Sequence, residues 1–394
     1  MKILHLNTYD SGGAGVAAIN LHRACLVEKI DSQIMFLRES KKRIPNSHGF
    51  LKIGENPELI EEKKNADKLN LLKKKYQVNG LVDSECITFP RTSFKALINH
   101  PLVVTADIIH LHWIARFVDF ESFFLKLKKP VVWTFHDSNP FQGIFHYIGD
   151  LEKNPWTKEI DLWAEDIKRQ AFKHSKIHVV TPSNWMQKRF LLKGFACTST
   201  TVIRNPIPLP SSNIKADSST NQKITKFIFS AWNLSTKCKR FDLFVKLAET
   251  LSSQEIQFFC LGKKENLKIP ASVKWLGFTD NRIELEKIYK SVDATIVCSM
   301  DDNMPNVIFE SMAVGTPVIG TSSGGIPELI NSENGICSEG NDFETLLCDV
   351  KKFIKNKKNF CRKKIRDSAF NKFSPKIQIR KYKKLYQNLL CLSK

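Results

Sequence analysis

Residues Ser299 to Glu328 read SMDDNMPNVIFESMAVGTPVIGTSSGGIPE. The run leading into them, Val292 to Ser299 (VDATIVCS), is short, apolar and β-branched, the pattern of a strand buried on both faces of a parallel sheet. Asp301 and Asp302 stand at its C-terminal end, and Glu310 follows eight residues after Asp302 on a predicted helix from Asn306 to Val314. Gly315 is placed to stop that helix, and Thr316-Pro317-Val318-Ile319 opens the next strand. A strand, a helix and a second strand in this order make a parallel α/β unit. Ligands of such open sheets bind outside the carboxyl ends of the strands, where Asp301 and Asp302 lie.

Carboxylates around a helix N-terminus suit a ligand that carries both hydroxyls and phosphate. The carboxylates accept hydrogen bonds from vicinal hydroxyls, while the free amides and positive dipole end of the helix attract an anion. A nucleotide sugar has both parts. Two plainer readings compete: Asp302 as an ordinary helix cap, and Glu310 as a solvated helix residue. Against them, Glu310 sits among Ile308, Phe309, Met312 and Ala313, and a second glycine loop, Ser322-Ser323-Gly324-Gly325, leads into Ile326-Pro327-Glu328.

The segment resembles the nucleotide-binding signature of the GT-B glycosyltransferases, specifically glycosyltransferase family 4. That signature has two acids separated by seven residues, then a phrase of the EAMACGTPV type, then GGIPE. Glu310 to Val318 and Gly324 to Glu328 match it, and Asp301 to Asn306 resembles an E-D-N-L-P-N start. The first acid is Asp here, so Asp301 and Asp302 both remain candidates for it. The resemblance implies that Glu310 binds ribose hydroxyls, that Asp302 contacts the donor sugar, and that Asp301, Asn303, Met304, Pro305 and Asn306 line the donor site. It further implies two Rossmann-like domains facing a central cleft, retention at the anomeric carbon, and a C-terminal helix crossing back to the first domain.

The first half alternates strands and helices. Lys2 to Asn7 reads as a strand, and Asp10-Ser11-Gly12-Gly13-Ala14-Gly15 as a tight loop entering a helix from Val16 to Val27. Glycine lets backbone amides approach a phosphate closely. Gly13 to Ala18 also fits G-x-G-x-x-A, with Glu39 after the next strand, so binding of NAD is a rival reading. The family resemblance favours Gly13 and Gly15 as contacts to the donor diphosphate and acceptor. Two further strands, ending at His110-Leu111-His112-Trp113 and Phe135-His136-Asp137, deliver histidines to the same edge. Phe135-His136-Asp137 sits where the family carries T-x-H-D, which makes His136 the catalytic candidate; His112 and His146 are second-tier and expected to be structural. Thr181 to Asn184 and Arg204-Asn205-Pro206 match further family phrases.

Pro206 to Gln222 is rich in Pro, Ser and Asn and has no hydrophobic period, so it reads as a linker. The expected organisation is residues 1–205, linker 206–222, a nucleotide-sugar domain at 223–373 and a crossover helix at 374–394. In the second domain Lys237-Cys238-Lys239-Arg240-Phe241-Asp242-Leu243 resembles the K-G-x-D-L phrase whose lysine grips the diphosphate. Arg240 replaces the glycine, and Asn233 stands where the family usually has an arginine. Lys239 and Lys237 are therefore the expected cations, with Lys239, Asp302 and His136 the catalytic set.

A chain of 394 residues exceeds what one core usually organises, and 42% hydrophobic residues suffice for two cores. No apolar run approaches the ~20 residues of a membrane span, and Met1-Lys2 runs directly into a strand with no signal-peptide pattern. Ten cysteines without a C-x-x-C pair fit reduced thiols in a cytoplasm. The net charge of +20, with clusters at Lys73-Lys74-Lys75 and Lys351 to Arg366, suits either solvated faces or an anionic membrane surface. A nucleic-acid partner is not expected, because no aromatic-basic RNA motif, zinc finger or helix-turn-helix is recognisable. The combined expectation is a retaining hexosyltransferase of cell-surface polysaccharide or lipopolysaccharide synthesis. It would need no metal and no cofactor beyond a nucleoside diphosphate sugar, and would act on a carbohydrate or lipid-linked acceptor. NAD-dependent oxidoreductase and basic nucleic-acid-binding protein are the alternatives.

Overall fold

The computed structural model describes residues 1–38, 43–51, 57–79, 81–208 and 224–391. Glu39 and residues 209–222 of the expected linker lie outside them. The chain forms two compact units, one of Met1–Ile203 with Ile379–Lys394 and one of Arg204–Gln378.

The first unit holds a seven-stranded sheet of β1 (Lys2–Asn7), β2 (Asp31–Arg38), β3 (Ser47–Leu51), β4 (Ile108–Leu111), β5 (Val131–Thr134), β6 (Ile177–Thr181) and β7 (Ser199–Val202). Their order is β3-β2-β1-β4-β5-β6-β7, and every pairing is parallel. Strand order reverses between β1 and β4, so the loops leaving these strands diverge to opposite faces and open a crevice at their carboxyl ends. Alternation sorts the side chains. Ile109, Leu111, Val131, Trp133 and Phe135 join one aromatic-rich core with Phe124, Phe172 and Phe190. Ile3, Ile108, Val132 and Val180 face the other way, against Leu21 and Cys25 of the helix Gly12–Val27 and Tyr382 and Tyr386 of the helix Pro375–Cys391.

The second unit repeats the scheme with six strands: β8 (Thr225–Asn233), β9 (Ile256–Lys263), β10 (Val273–Trp275), β11 (Ala294–Val297), β12 (Val318–Gly320) and β13 (Gly335–Cys337). The order β10-β9-β8-β11-β12-β13 is again wholly parallel and reverses between β8 and β11. Phe227, Phe229, Phe244, Phe258 and Phe353 fill one side of this sheet. Each fully buried Phe contributes roughly 1.5–3 kcal/mol.

Two expected boundaries move. The glycine segment 12–15 is the first turn of the helix Gly12–Val27, not a loop ahead of it. The turn is made by Ser11 and by Gly12 at φ +72°, a conformation open to glycine at no steric cost. The strand expected from Val292 is confined to Ala294–Val297, and all four of its residues are buried.

Candidate active site

In the second unit the loops after β8 and β11 come together at the point of strand reversal. The Met300 amide donates to the Cys238 carbonyl at 2.7 Å, and Lys239 Nζ donates to Asp302 Oδ2 at 2.5 Å. Asp302 is therefore no helix cap. The residue ahead of the helix Asn306–Ala313 is Pro305, whose side chain makes no capping hydrogen bond. The Ile308 amide donates to the Pro305 carbonyl at 3.2 Å, so the amides that an anion at this end would meet are those of Asn306 and Val307.

Two residues flanking this ion pair have left-handed backbones that disfavour side chains, Arg240 at φ +54° and Asp301 at φ +54°. Such conformations cost about 1–2 kcal/mol each and gather where structure is held for function. The family glycine that Arg240 replaces is explained by this geometry: the chain keeps the turn without the residue that makes it easy. Arg240 Nη1 donates to the Asn341 carbonyl at 2.6 Å, which helps hold it there. Asp301 is fixed through its amide, which donates to Ser323 Oγ at 3.0 Å. The second glycine loop closes on the same segment, since the Gly325 amide donates to the Asp302 carbonyl at 2.9 Å and a Cβ at Gly324 would run into that carbonyl.

Glu310 lies half-buried on the helix, and Tyr289 Oη donates to its Oε2 at 3.1 Å. Burial raises the Glu310 carboxyl above the usual carboxylate range, partly countered by Tyr289 and by the charge of Arg282. It is thus neither solvated nor loose; one oxygen is held by a wholly buried tyrosine. Asn303, Met304 and Pro305 are buried, Asn306 is intermediate, and Lys237 is exposed. Glu328 of the GGIPE phrase takes Arg204 Nη2 at 2.8 Å, which joins two of the segments singled out in the sequence.

In the first unit the strand reversal between β1 and β4 is stitched in the same way. The Thr8 amide donates to the Trp113 carbonyl at 2.8 Å, and the Trp113 amide donates to Asn7 Oδ1 at 2.8 Å. Gly15 is buried against this turn, where a Cβ would stand 2.7 Å from the Tyr9 carbonyl oxygen; Gly13 is exposed. His136 follows β5 at its carboxyl end, and its Nε2 lies 3.1 Å from His112 Nδ1. Burial pulls the His136 imidazole down to about 4, so it is neutral near pH 7.

Asp137 is fully engaged. Its Oδ2 accepts from Trp113 Nε1 and His146 Nδ1, both at 2.7 Å, and its Oδ1 accepts from the Asn139 amide at 3.0 Å. Burial would lower His146, but the Asp137 carboxylate outweighs it and holds His146 at about 9, as an imidazolium. The loop beyond is clamped by the buried Lys168, whose Nζ donates to the carbonyls of Asn139 at 2.6 Å and Gly143 at 2.7 Å. Burial brings Lys168 down to about 7. Sequence reasoning missed His5, Lys168 and the hydroxyl of Tyr289. The hydroxyls of Tyr382 and Tyr386, on the C-terminal helix, bond Thr134 Oγ1 at 2.9 Å and His110 Nδ1 at 2.6 Å.

With both strand-reversal sites described, similarity to known proteins can be placed on them. Residues 212–371 match the family model for Glycosyl transferases group 1. That range contains Lys237, Lys239, Asp301, Asp302 and Glu310. An uncharacterized glycosyltransferase of Methanocaldococcus jannaschii is 42% identical over 18% of this chain and 18% of its own length. The N-acetyl-alpha-D-glucosaminyl L-malate synthase of Bacillus anthracis is 29% identical over 32% of this chain and 33% of its own. Both matches span a third or less of those relatives. Among solved structures, Anabaena HepE in complex with UDP and glucose superposes with a TM-score of 0.64 at 14% identity, covering 98% of this chain and 99% of that one. The fold is that of the GT-B glycosyltransferases over nearly the full chain.

Proposed function

We propose that this protein transfers a sugar from a nucleoside diphosphate donor to an acceptor hydroxyl, with retention at the anomeric carbon. The observation that carries the reading is the Lys239–Asp302 pair at the strand reversal of the second unit, four residues ahead of the helix Asn306–Ala313, which also carries Glu310. In this arrangement Glu310 accepts the ribose hydroxyls, and the amides of Asn306 and Val307 meet the diphosphate. Lys239, with Lys237, stabilises negative charge as the bond from the anomeric carbon to the diphosphate oxygen breaks. The acceptor oxygen bonds the anomeric carbon and its proton passes to the departing diphosphate. Asp137 is committed to Trp113, His146 and Asn139, which leaves it unsuited to attack the sugar as a nucleophile. His136, at the carboxyl end of β5, is the first unit's candidate for a role in transfer.

Relatives that bind or use nucleotide sugars support a donor of this class, and the complex of HepE with UDP and glucose puts UDP first among nucleotides to test. Cell-surface polysaccharide or lipopolysaccharide synthesis, with a carbohydrate or lipid-linked acceptor, is the proposed setting. Among the described residues no helix is long and apolar enough to cross a membrane. Lys351, Lys352, Lys355, Lys358, Lys363 and Lys364 are exposed, and we assign these lysines to an anionic lipid surface. Binding to anionic liposomes that falls steeply with salt checks it. NAD binding at the first glycine turn, the rival reading, leaves the group 1 match over residues 212–371 without a role.

Thermal shift with UDP, GDP, ADP and NAD tests the central claim. A nucleoside diphosphate at 100 times its Kd should add about 2.7 kcal/mol of stability. Stabilisation by NAD and by none of the diphosphates would overturn it.

A further inference from the structure

On one face of the first sheet, Ile3, Ile108 and Val132 lead by steps of two residues to His5, His110, His112, Thr134 and His136. The register of β1 against β4 sets His5 beside His110. Three of these rings form a hydrogen-bonded row. His5 Nδ1 lies 3.1 Å from His112 Nε2, and His112 Nδ1 lies 3.1 Å from His136 Nε2. Ring centroids are 5.4 Å apart at each step with interplanar angles of 27° and 20°, so nitrogens far closer than centroids mean that the rings meet edge to edge. His5 and His112 are buried, and burial, followed by the neighbouring imidazoles, keeps both well below the ordinary histidine value.

Each neutral imidazole carries one N–H. Two internal hydrogen bonds among three rings then force all the N–H groups to point the same way along the row. If they pointed toward His5, the row would end in an N–H at His5 Nε2, which is buried and has no partner among the described residues. If they point toward His136, only a lone pair is left there. An orphaned buried N–H is the rarer and more costly of the two.

We infer that His5 and His112 are positioning residues that hold His136 in the tautomer protonated at Nδ1, so that a hydrogen-bond donor and not a general base stands at the carboxyl end of β5. The inference rests on the glycosyl-transfer reading for its consequence, though not for its geometry. His110 stands outside the row, since its nitrogens meet Tyr386 Oη at 2.6 Å and Thr134 Oγ1 at 2.8 Å. His5, His110 and His112 do offer nitrogens within 4.8 Å of one another, a spacing open to a metal. The His110 and His112 rings lie face to face at 4.3 Å and 20°, however, so their lone pairs run parallel instead of converging on an ion.

Long-range proton–nitrogen NMR on histidine-labelled protein at pH 7.5 tests this without substrate. The expected spectrum has His136 protonated at Nδ1 and His5 bare at Nε2. His5→Leu, which removes the first donor, should mix the His136 tautomers and lower kcat for transfer at least ~10-fold with KM for the nucleotide sugar unchanged. His5→Gln keeps an N–H donor and should restore both readouts. A native His136 protonated at Nε2, a tautomer unmoved in His5→Leu, or a zinc ion bound to His5 and His112 would each overturn the inference. Should His5→Leu not fold, the native spectrum alone decides. The expected tautomer in a protein that transfers no sugar would refute the proposed function and leave the row intact.

Discussion

Lys239 and Asp302, residues from two different strand-end loops, form a 2.5 Å ion pair where the second sheet reverses its strand order. Lys239 is 30% and Asp302 13% exposed, so the pair is partly shielded and each charge sets the field of the other. On the proposed function, an arriving diphosphate would compete for the lysine and release the carboxylate toward hydroxyls. Lys239→Ala should therefore lower turnover by roughly a hundredfold or more, while the nucleoside still binds. Steady-state kinetics with nucleotide titrations separate the two. Full activity in Lys239→Ala would transfer the role to Lys237 or Arg240.

Tyr289 and Glu310 divide the second prediction. Glu310→Gln should weaken nucleotide binding by ~1.5–3 kcal/mol, the range for hydrogen bonds to a charged group. Tyr289→Phe removes only the hydroxyl that orients the carboxylate, and should cost about 0.5–1.5 kcal/mol of affinity. Calorimetric titration resolves the difference, and equal affinity in native protein and Glu310→Gln would return Glu310 to a structural role.

Arg240 gives a test of backbone energetics. At φ +54° an alanine keeps the strain and loses the bond to the Asn341 carbonyl; a glycine loses the same bond and relieves the strain. Arg240→Gly should thus be more stable than Arg240→Ala by about 1 kcal/mol in urea unfolding. Alanine equal to glycine would mean the turn relaxes once the arginine is gone.

Local signals made the second unit legible. The helix Asn306–Ala313 and its stop at Gly315, found at φ +80°, follow from periodicity and a glycine whose position has one common use. The approach of Lys239 to Asp302 follows from each residue's place at a strand end once the sheet order is known. What escaped needs register. Nothing in KILHLN marks His5 as a partner of His112, since the two lie 107 residues apart and meet only because β1 pairs with β4. Tyr289 likewise reads as one more apolar position of the helix Arg282–Lys290; its hydroxyl finds Glu310 only when two helices pack. The glycine segment at 12–15 was misjudged as a loop because glycine's low helix propensity is outweighed there by the close contact that Gly15 makes with Tyr9.

The histidine row makes stability depend on pH with a definite sign. His136 titrates at about 4 in the folded protein, and His5, His110 and His112 lie well below 6.5, all through burial first. As pH falls from 6.5 toward 4, the unfolded chain binds protons that the folded chain does not, so stability is lost in that window. Even one such group should remove about 2 kcal/mol between pH 7 and pH 5. His146 works in the opposite direction: burial lowers it, Asp137 more than restores it, and its folded value of about 9 gives a contribution present below 6.5 and lost as pH rises through 9. Lys168, lowered to about 7 by burial, adds stability over the same alkaline range and offsets His146, so the sign is read on the acid side: urea unfolding should show lower stability at pH 5 than at pH 7. A protein equally stable at pH 5 and 7 would mean the row takes up protons without unfolding.

The last prediction concerns divalent metal. In the second unit Lys237 and Lys239 share the turn after β8, and Asp302 is spent on Lys239 instead of standing with Asp301 as a pair of ligands. The two acids are adjacent in sequence, with Asp301 in a left-handed turn held through its amide to Ser323, so nothing in this loop builds the spaced acid pair that a diphosphate-bridging ion needs. Ammonium groups balance the diphosphate charge as it departs. Sugar transfer is therefore expected to continue in excess EDTA at an undiminished rate. Activity that disappears in EDTA and returns with magnesium or manganese would make Asp301 or Asp302 a metal ligand, and the roles given to Lys239 and Asp302 would have to be reassigned around that ion.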